Sequence, residues 1–149
     1  MIIEKQRGHR RSGAAVVETA FILIPLMMFI FGVFEYSRLF MDWNLLNNAA
    51  REGCRYALVN NTSATISTDV STVVNKFMAG ETKNFTSFTV TVSGMHSGSA
   101  TTVNNLAAGD LITVTVTGNY NFLNVIPFLP KFAALPITSS VTMVCEGVT

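Results

Sequence analysis

The side chain with the most distinctive chemistry is Glu18, a carboxylate close to the start of a long apolar run. Residues 19–34 read TAFILIPLMMFIFGVF and contain no charged residue. A carboxylate at the centre of a membrane helix costs roughly 2.5–3.5 kcal/mol, and a charge there is by default a functional-site hypothesis. Glu18 is therefore a candidate for a role other than insertion. The alternative is a carboxylate that lies at the level of the lipid headgroups and stays solvated.

The other reactive side chains form no recognisable catalytic set. The chain has two cysteines, Cys54 and Cys145, and two histidines, His9 and His96. No Ser/His/Asp set, Cys/His pair or phosphate-binding glycine loop is recognisable, and His96 is expected in a loop with no second metal ligand near it. We therefore expect no enzymatic activity, no metal and no other cofactor.

The cysteines allow two interpretations. If both lie on the oxidising side of a membrane, Cys54 and Cys145 could form a single disulfide. Two buried free thiols fit the sequence equally well, because pairing cannot be deduced from sequence alone.

A membrane helix is the element that would position Glu18. Residues 14–34 are about as long as the roughly 20 residues that a helix needs to cross a bilayer core. Residues 1–13 carry four basic side chains and one acidic one, a formal +3. The positive-inside rule therefore places the N-terminus in the cytoplasm and the remainder outside. A cleavable secretory signal peptide is the alternative, but the span ends in Phe34-Glu35-Tyr36-Ser37-Arg38, a poor cleavage site.

The helical pattern continues beyond the span. Apolar side chains recur at three- and four-residue spacing through residues 39–58, and polar side chains mark the opposite side. No proline interrupts residues 26–60. We expect one helix from about residue 14 to about residue 59, with Pro25 as a weak point and with residues 35–60 as an amphipathic extension packed on a sheet or a partner helix.

Residues 61–149 are expected to form an extracytoplasmic α+β head. Thr68-Asp69 would cap a short helix whose apolar face includes Phe77. The fold class is therefore α+β, a long N-terminal helix packed on a small antiparallel sheet. Alternation at period two predicts strands near residues 88–93, 112–120 and 137–145, separated by a flexible loop at 94–110 and a proline-rich loop at 124–136.

Three stretches match the opening pattern of one family. A basic leader ends at Gly13 with Glu18 five residues beyond it, Glu35-Tyr36-Ser37-Arg38-Leu39 follows the span, and residues 48–57 read NAAREGCRYA. They resemble the TadE-like minor pilins, or pseudopilins, of tight-adherence (Flp, type IVc) pilus systems, best over residues 10–60. The helix motif in this resemblance comprises Asn48, Ala49, Ala50, Arg51, Glu52, Gly53, Cys54, Arg55, Tyr56 and Ala57.

The resemblance implies processing and assembly. A prepilin peptidase would cut between Gly13 and Ala14 on the cytoplasmic face, which makes Glu18 the fifth residue of the mature chain. Glu18 could then pair with the new α-amine of its own or a neighbouring subunit and set the register of packed helices. Thr19 stands where major Flp pilins carry an aromatic residue, which favours a minor subunit.

The resemblance also implies a location and partners. The expected location is the bacterial inner membrane, with a single pass, a cytoplasmic N-terminus and a periplasmic head, or a surface pilus after incorporation. Expected partners are other pilin and pseudopilin subunits, the prepilin peptidase, the inner-membrane assembly platform and the lipid bilayer. Nucleic acid is not expected, because the chain outside the leader carries a formal −2 and no basic patch. The competing hypothesis is an uncleaved single-pass anchored binding module; a secreted enzyme with a retained anchor is disfavoured.

Overall fold

The computed structural model describes residues 11–101, 103–104, 106–123 and 133–146. Within them the chain forms helices and one antiparallel sheet, so the predicted α+β class is confirmed. The helices are α1 (Arg11–Val59), α2 (Ile66–Phe77) and a short 3-10 helix (Glu81–Asn84), and the strands are β1 (Phe85–His96), β2 (Ser99–Thr101), β3 (Leu111–Tyr120) and β4 (Leu135–Val144).

The chain divides into two compact units, Met1–Arg38 and Leu39–Thr149. Helix α1 starts three residues before the expected position and ends where the pattern predicts, with Pro25 inside it. The apolar side chains of its first part are exposed, as they are at Phe21 and Phe29.

The second unit has its core between the outer part of α1, helix α2 and one face of the sheet. The strand order is β2-β1-β3-β4, and every pair is antiparallel. Strand β3 lies inside the sheet and its side chains alternate between half-buried and fully buried. This alternation follows from the Val-Thr repeat, because successive side chains of a strand point to opposite faces. The core includes Leu46, Ala50, Cys54, Ile66, Val70, Val74, Met78, Ile112, Val114, Val116 and Tyr120.

The expected flexible loop at residues 94–110 is partly wrong. Strand β1 continues to His96, and β2 pairs with it at Gly94↔Thr101, Met95↔Ala100 and His96↔Ser99. The turn uses Ser97 and Gly98, both at positive φ (50° and 83°). Glycine tolerates this conformation without steric cost, which is why the hairpin turns here.

Two further boundaries and the position of one side chain differ from expectation. Helix α2 begins at Ile66, so Thr68-Asp69 lies inside its first turn, and Phe77 is 41% exposed and not on the buried face. Pro136 belongs to β4, where it pairs with Asn119. Proline is tolerated there because β4 is an edge strand. Residues 124–132 of the expected proline-rich loop lie outside the described residues.

Candidate functional site

The predicted cleavage residues and Glu18 lie near the start of α1. Gly13, Ala14 and Glu18 are all exposed, and a Cβ placed on Gly13 would meet no atom within 4 Å. Ala14 and Glu18 are four residues apart and so share one helix face. Together with Gly13, Val17, Phe21 and Ile22 they line a shallow concavity on the helix surface.

The helix that carries these residues has a composition suited to a bilayer. Within the described residues it is the one helix long and apolar enough to cross a membrane, with a mean hydropathy of 2.3 in its most apolar window and none of that window buried. The Thr19 hydroxyl donates to the Ala15 carbonyl (2.8 Å) and the Ser37 hydroxyl to the Val33 carbonyl (2.8 Å). The hydroxyls of Thr19 and Ser37 thus form hydrogen bonds with the helix backbone. Glu18 differs from them because it carries a carboxylate next to the apolar run.

The motif at residues 48–57 divides into two faces. Ala49, Ala50, Gly53, Cys54 and Ala57 are buried and face the core. These small side chains let α1 approach its neighbours closely. The remaining motif residues are exposed (Asn48, Arg51 and Arg55) or half-buried (Glu52 and Tyr56).

Gly53 marks the closest approach. A Cβ at this position would lie 2.8 Å from Cγ2 of Val74, 3.2 Å from Cγ1 of Val70 and 3.5 Å from Cγ1 of Val114. Real Cβ atoms essentially never come within 3.0 Å of a heavy atom that lies outside their own residue and its two chain neighbours. The glycine of the motif therefore has a packing role, where α2 lies against α1.

The exposed face of the motif carries charge. Glu52 and Arg55 form an i,i+3 pair at 3.9 Å, with side chains 47% and 72% exposed. A pair this exposed contributes little to stability. Arg51 has no ion pair among the described residues, and Arg55 lies four residues away on the same side.

The two cysteines lie in the same core and are free thiols in the structure. The Cys54 thiol lies 3.6 Å from the Ile112 carbonyl, to which it donates. Burial raises the pKa of the Cys54 thiol, and the neighbouring Cys145 raises it further. Burial also raises the pKa of the Cys145 thiol, and a hydrogen bond with the Asn61 side chain partly offsets this by lowering it. Both thiols therefore lie in one core and are weakly reactive while reduced, and the disulfide remains a prediction.

His96 does not lie in a loop as expected. It is the last residue of β1, and its Nδ1 lies 2.6 Å from Oδ1 of the buried Asp110. The other oxygen, Oδ2, accepts a hydrogen bond from the Ala107 backbone N–H at 2.7 Å. Asp110 thus fixes the turn before β3. The sequence shows Asp110 only as a polar residue after Gly109, so nothing in the local pattern identifies this contact.

Sequence reasoning also missed the contact between Asn47 and Ser139. The Ser139 hydroxyl donates to Oδ1 of Asn47 at 2.6 Å and so joins β4 to α1. Ser139 is 3% exposed. The two residues are 92 positions apart, and no local signal links them.

The comparison with known families addresses the same segment. Residues 13–55 match the family model described as TadE-like protein. The N-terminal part of the chain is thus similar to this family. The resemblance stated from sequence is thereby confirmed for these residues. No curated protein and no solved structure matches the chain at a significant level.

The TadE-like region coincides with most of α1. It begins at Gly13, the expected cleavage residue, and ends at Arg55, the last exposed cation of the motif. It therefore contains both the apolar segment and the part of the helix whose small side chains enter the core of the second unit. The TadE-like family is pilus-associated and in general non-enzymatic.

Proposed function

We propose that this protein is a minor pilin or pseudopilin that acts as a structural or assembly subunit of a Tad/Flp-type pilus. The observation that carries the proposal is the TadE-like match over residues 13–55, which starts at the expected cleavage glycine. The protein is anchored by residues 14–34 in the bacterial inner membrane, with its N-terminus in the cytoplasm and its head in the periplasm or in a pilus.

Processing follows from the start of the match and from the basic leader. A prepilin peptidase cuts between Gly13 and Ala14 and leaves Ala14 as the new N-terminus. The exposure of both residues on α1 supports access by the peptidase. Cleavage creates an α-amine four residues before Glu18.

The new amine gives Glu18 a partner. Ala14 and Glu18 share one face of the helix, in the concavity that they line with Val17, Phe21 and Ile22. The attraction between an ammonium and a carboxylate increases as water is removed from around them. A Glu18 carboxylate that pairs with the amine of its own or a neighbouring subunit offsets the cost of its burial and fixes the register of packed helices.

The exposed face of the helix motif is the proposed contact for partner subunits. Arg51 and Arg55 are cations four residues apart, and like charges at this spacing repel each other. An acidic side chain of a neighbouring pilin or of the assembly platform would relieve that repulsion. Arg51→Glu should therefore weaken co-purification with pilus components. Lys76→Glu is the matched control, since Lys76 is also exposed but lies on α2.

The mature N-terminus tests the processing step. We expect intact mass and N-terminal sequencing of the membrane-extracted protein to show Ala14 first in cells that contain a prepilin peptidase, and Met1 in cells that lack it. Gly13→Leu should block cleavage, whereas Gly32→Leu, a matched change inside the span, should not. A leader that is retained in the presence of the peptidase would contradict the proposal and favour the uncleaved anchored module.

A further inference from the structure

The sheet has a face that does not contact the core and consists largely of hydroxyl side chains. The register of β1, β3 and β4 places these side chains in three rows of three, one row for each aligned set of strand positions. Neighbouring strands lie about 4.8 Å apart, so each row is compact. The rows are Ser93–Thr113–Thr142, Thr91–Thr115–Ser140 and Thr89–Thr117–Thr138.

Hydrogen bonds between the strands connect members of each row. The hydroxyl oxygens of Thr113 and Thr142 are 2.8 Å apart, and those of Thr115 and Ser140 are 3.0 Å apart. In the third row Thr89 and Thr117 are 3.0 Å apart. A hydroxyl both donates and accepts, so each row can be extended by a further hydroxyl on an added strand.

Strand β4 forms the edge of this hydroxyl face. Its residues read LPITSSVTMV and include no charge. Its ladder with β3 is unbroken from Leu111↔Val144 to Tyr120↔Leu135. In the part of the chain that the structure describes, no strand pairs with the outer side of β4. Natural proteins usually protect a long regular edge with lysines, bulges or a cover, and here only Pro136 interrupts it.

The opposite edge is built differently. There β2 covers the end of β1, and the β1–β3 ladder contains a register shift between Thr86 and Thr89. Helix α2 also lies against β1. That side thus carries the features that discourage strand addition, whereas β4 lacks them. We expect this difference between the two edges if β4 pairs with another strand and the β1–β2 side does not.

We propose that β4 is a homotypic docking edge, where a second copy of this chain adds its own β4 antiparallel to form a continuous sheet. The sequence of β4 is self-complementary about Ser140. In an antiparallel pair with Ser140 opposite Ser140 of the second copy, Thr138 lies opposite Thr142 and the hydroxyl rows continue. On the other face, Ile137 lies opposite Met143 and Ser139 opposite Val141.

The two faces exclude registers that are shifted by an odd number of residues. A shift by one residue would turn every side chain to the other face and place hydroxyls opposite apolar side chains. The absence of charge on β4 also removes repulsion between identical edges. The occupant is therefore a strand with the same alternation, and β4 of a second copy has it. This pairing does not depend on the proposed role in a pilus.

Cysteine cross-linking of the full-length protein in membranes tests the pairing. Residues directly opposite in an antiparallel pair have Cα atoms about 4.5–5.5 Å apart, which suits a disulfide. Ser140→Cys should give a cross-linked species of twice the chain mass under mild oxidation. Thr91→Cys is the matched control, because Thr91 is exposed in the same row of the same face but lies two strands away from the edge. Thr91→Cys and the unsubstituted protein should remain uncross-linked.

A charge at the edge gives a second, independent readout. Ser140→Lys should weaken self-association by roughly tenfold, because like charges directly opposite each other destabilise a strand pair. Thr91→Lys should leave self-association unchanged, and both variants should keep the parent's thermal unfolding profile. The proposal is overturned if the parent is monomeric by sedimentation in detergent, if Ser140→Cys cross-links no more than Thr91→Cys, or if the adduct has a mass other than twice that of the chain.

Discussion

Gly53 of α1 faces Val74 of α2 so closely that an added Cβ would lie 2.8 Å from the Val74 Cγ2 atom. Gly53 lies inside the TadE-like region, and the contact with Val74 explains why a glycine, the residue with no side chain, occupies this position. Val74 is fully buried and β-branched, so its side chain has little freedom to move away. The motif thus contributes to the fold of the head through its buried side, and its exposed side is the surface that we propose for assembly.

Replacement of Gly53 by alanine should destabilise the head. Alanine favours a helix by up to about 1 kcal/mol over glycine, but the overlap with Val74 and Val70 should outweigh this and give a net loss of about 1–3 kcal/mol. Denaturant unfolding of the head followed by circular dichroism would measure it. The control is Gly32→Ala in the same helix, where an added Cβ meets nothing within 4 Å. If the Gly53→Ala head is as stable as the Gly32→Ala head, α1 and α2 can move apart to accept the added methyl group without loss of stability.

Asp110 should contribute more to stability than its partner His96. Asp110→Ala removes the acceptor for the Ala107 N–H as well as the contact with His96, and each such hydrogen bond typically contributes about 0.5–1.5 kcal/mol to stability. The His96 side chain is 60% exposed, so His96→Ala should cost well under 1 kcal/mol. Thermal unfolding of the two variants side by side would separate the effects. Equal losses would indicate that the contact between His96 and Asp110, and not the hydrogen bond from the Ala107 N–H, stabilises this turn.

The sequence specified the elements better than it specified their contacts. Helix α1 was predictable because its apolar spacing runs to Val59 without interruption, and β3 because Val and Thr alternate throughout it. Strand β2 was not, because Ser99–Thr101 is a short polar stretch that is ordered only by its pairing with β1.

The candidate site was predictable only in its local parts. Gly13 and Glu18 are recognisable by their spacing along one helix. The hydrogen bond between Asn47 and Ser139 and the hydroxyl rows across three strands depend on the tertiary register. These contacts join positions that are far apart in the sequence, and no local periodicity links such positions. They therefore cannot be predicted from a single sequence.

The cysteine pair gives a redox prediction. Cys54 and Cys145 lie in one core, so in the oxidising periplasm of the proposed location we expect them to form a disulfide. The bond would close a long loop and add up to about 4–5 kcal/mol in the chain-entropy model. Thiol labelling of the denatured, unreduced protein measures this directly. Two labelled thiols per chain would rule the bridge out, and a Cys145→Ala variant provides the reference for one free thiol.

The reduced head should lose stability in alkaline solution. Burial raises the pKa of both thiols above the ordinary value of 9.0, so above about pH 9 the unfolded chain releases protons that the folded chain retains. The free energy of unfolding should therefore be unaffected below this pH and fall above it, by up to about 1.4 kcal/mol per thiol and pH unit. Urea titrations from pH 7 to 10.5 on reduced and oxidised protein would show it. If both forms lose stability in parallel, other groups are responsible.

Glu18 gives the prediction that bears most directly on assembly. If its carboxylate pairs with the Ala14 amine of its own or a neighbouring subunit, Glu18→Ala should leave membrane insertion intact or improve it, because a costly charge is removed. Cleavage after Gly13 should persist. Association with other pilus subunits should fail, since the contact that sets the register is lost.

Two conservative variants separate charge from shape in this contact. Glu18→Gln keeps the size of the side chain and removes its charge, so it should behave like Glu18→Ala if the ion pair matters. Glu18→Asp keeps the charge on a shorter side chain and should give an intermediate yield. Glu35→Gln is the control for loss of a carboxylate elsewhere on the helix, beside Arg38. Co-purification with pilus subunits and a count of surface pili are the measurements. Neither Glu18→Ala nor Glu18→Gln can attract an amine. If both variants assemble like the parent, Glu18 is a solvated charge at the headgroup level, and other contacts set the register of the packed helices.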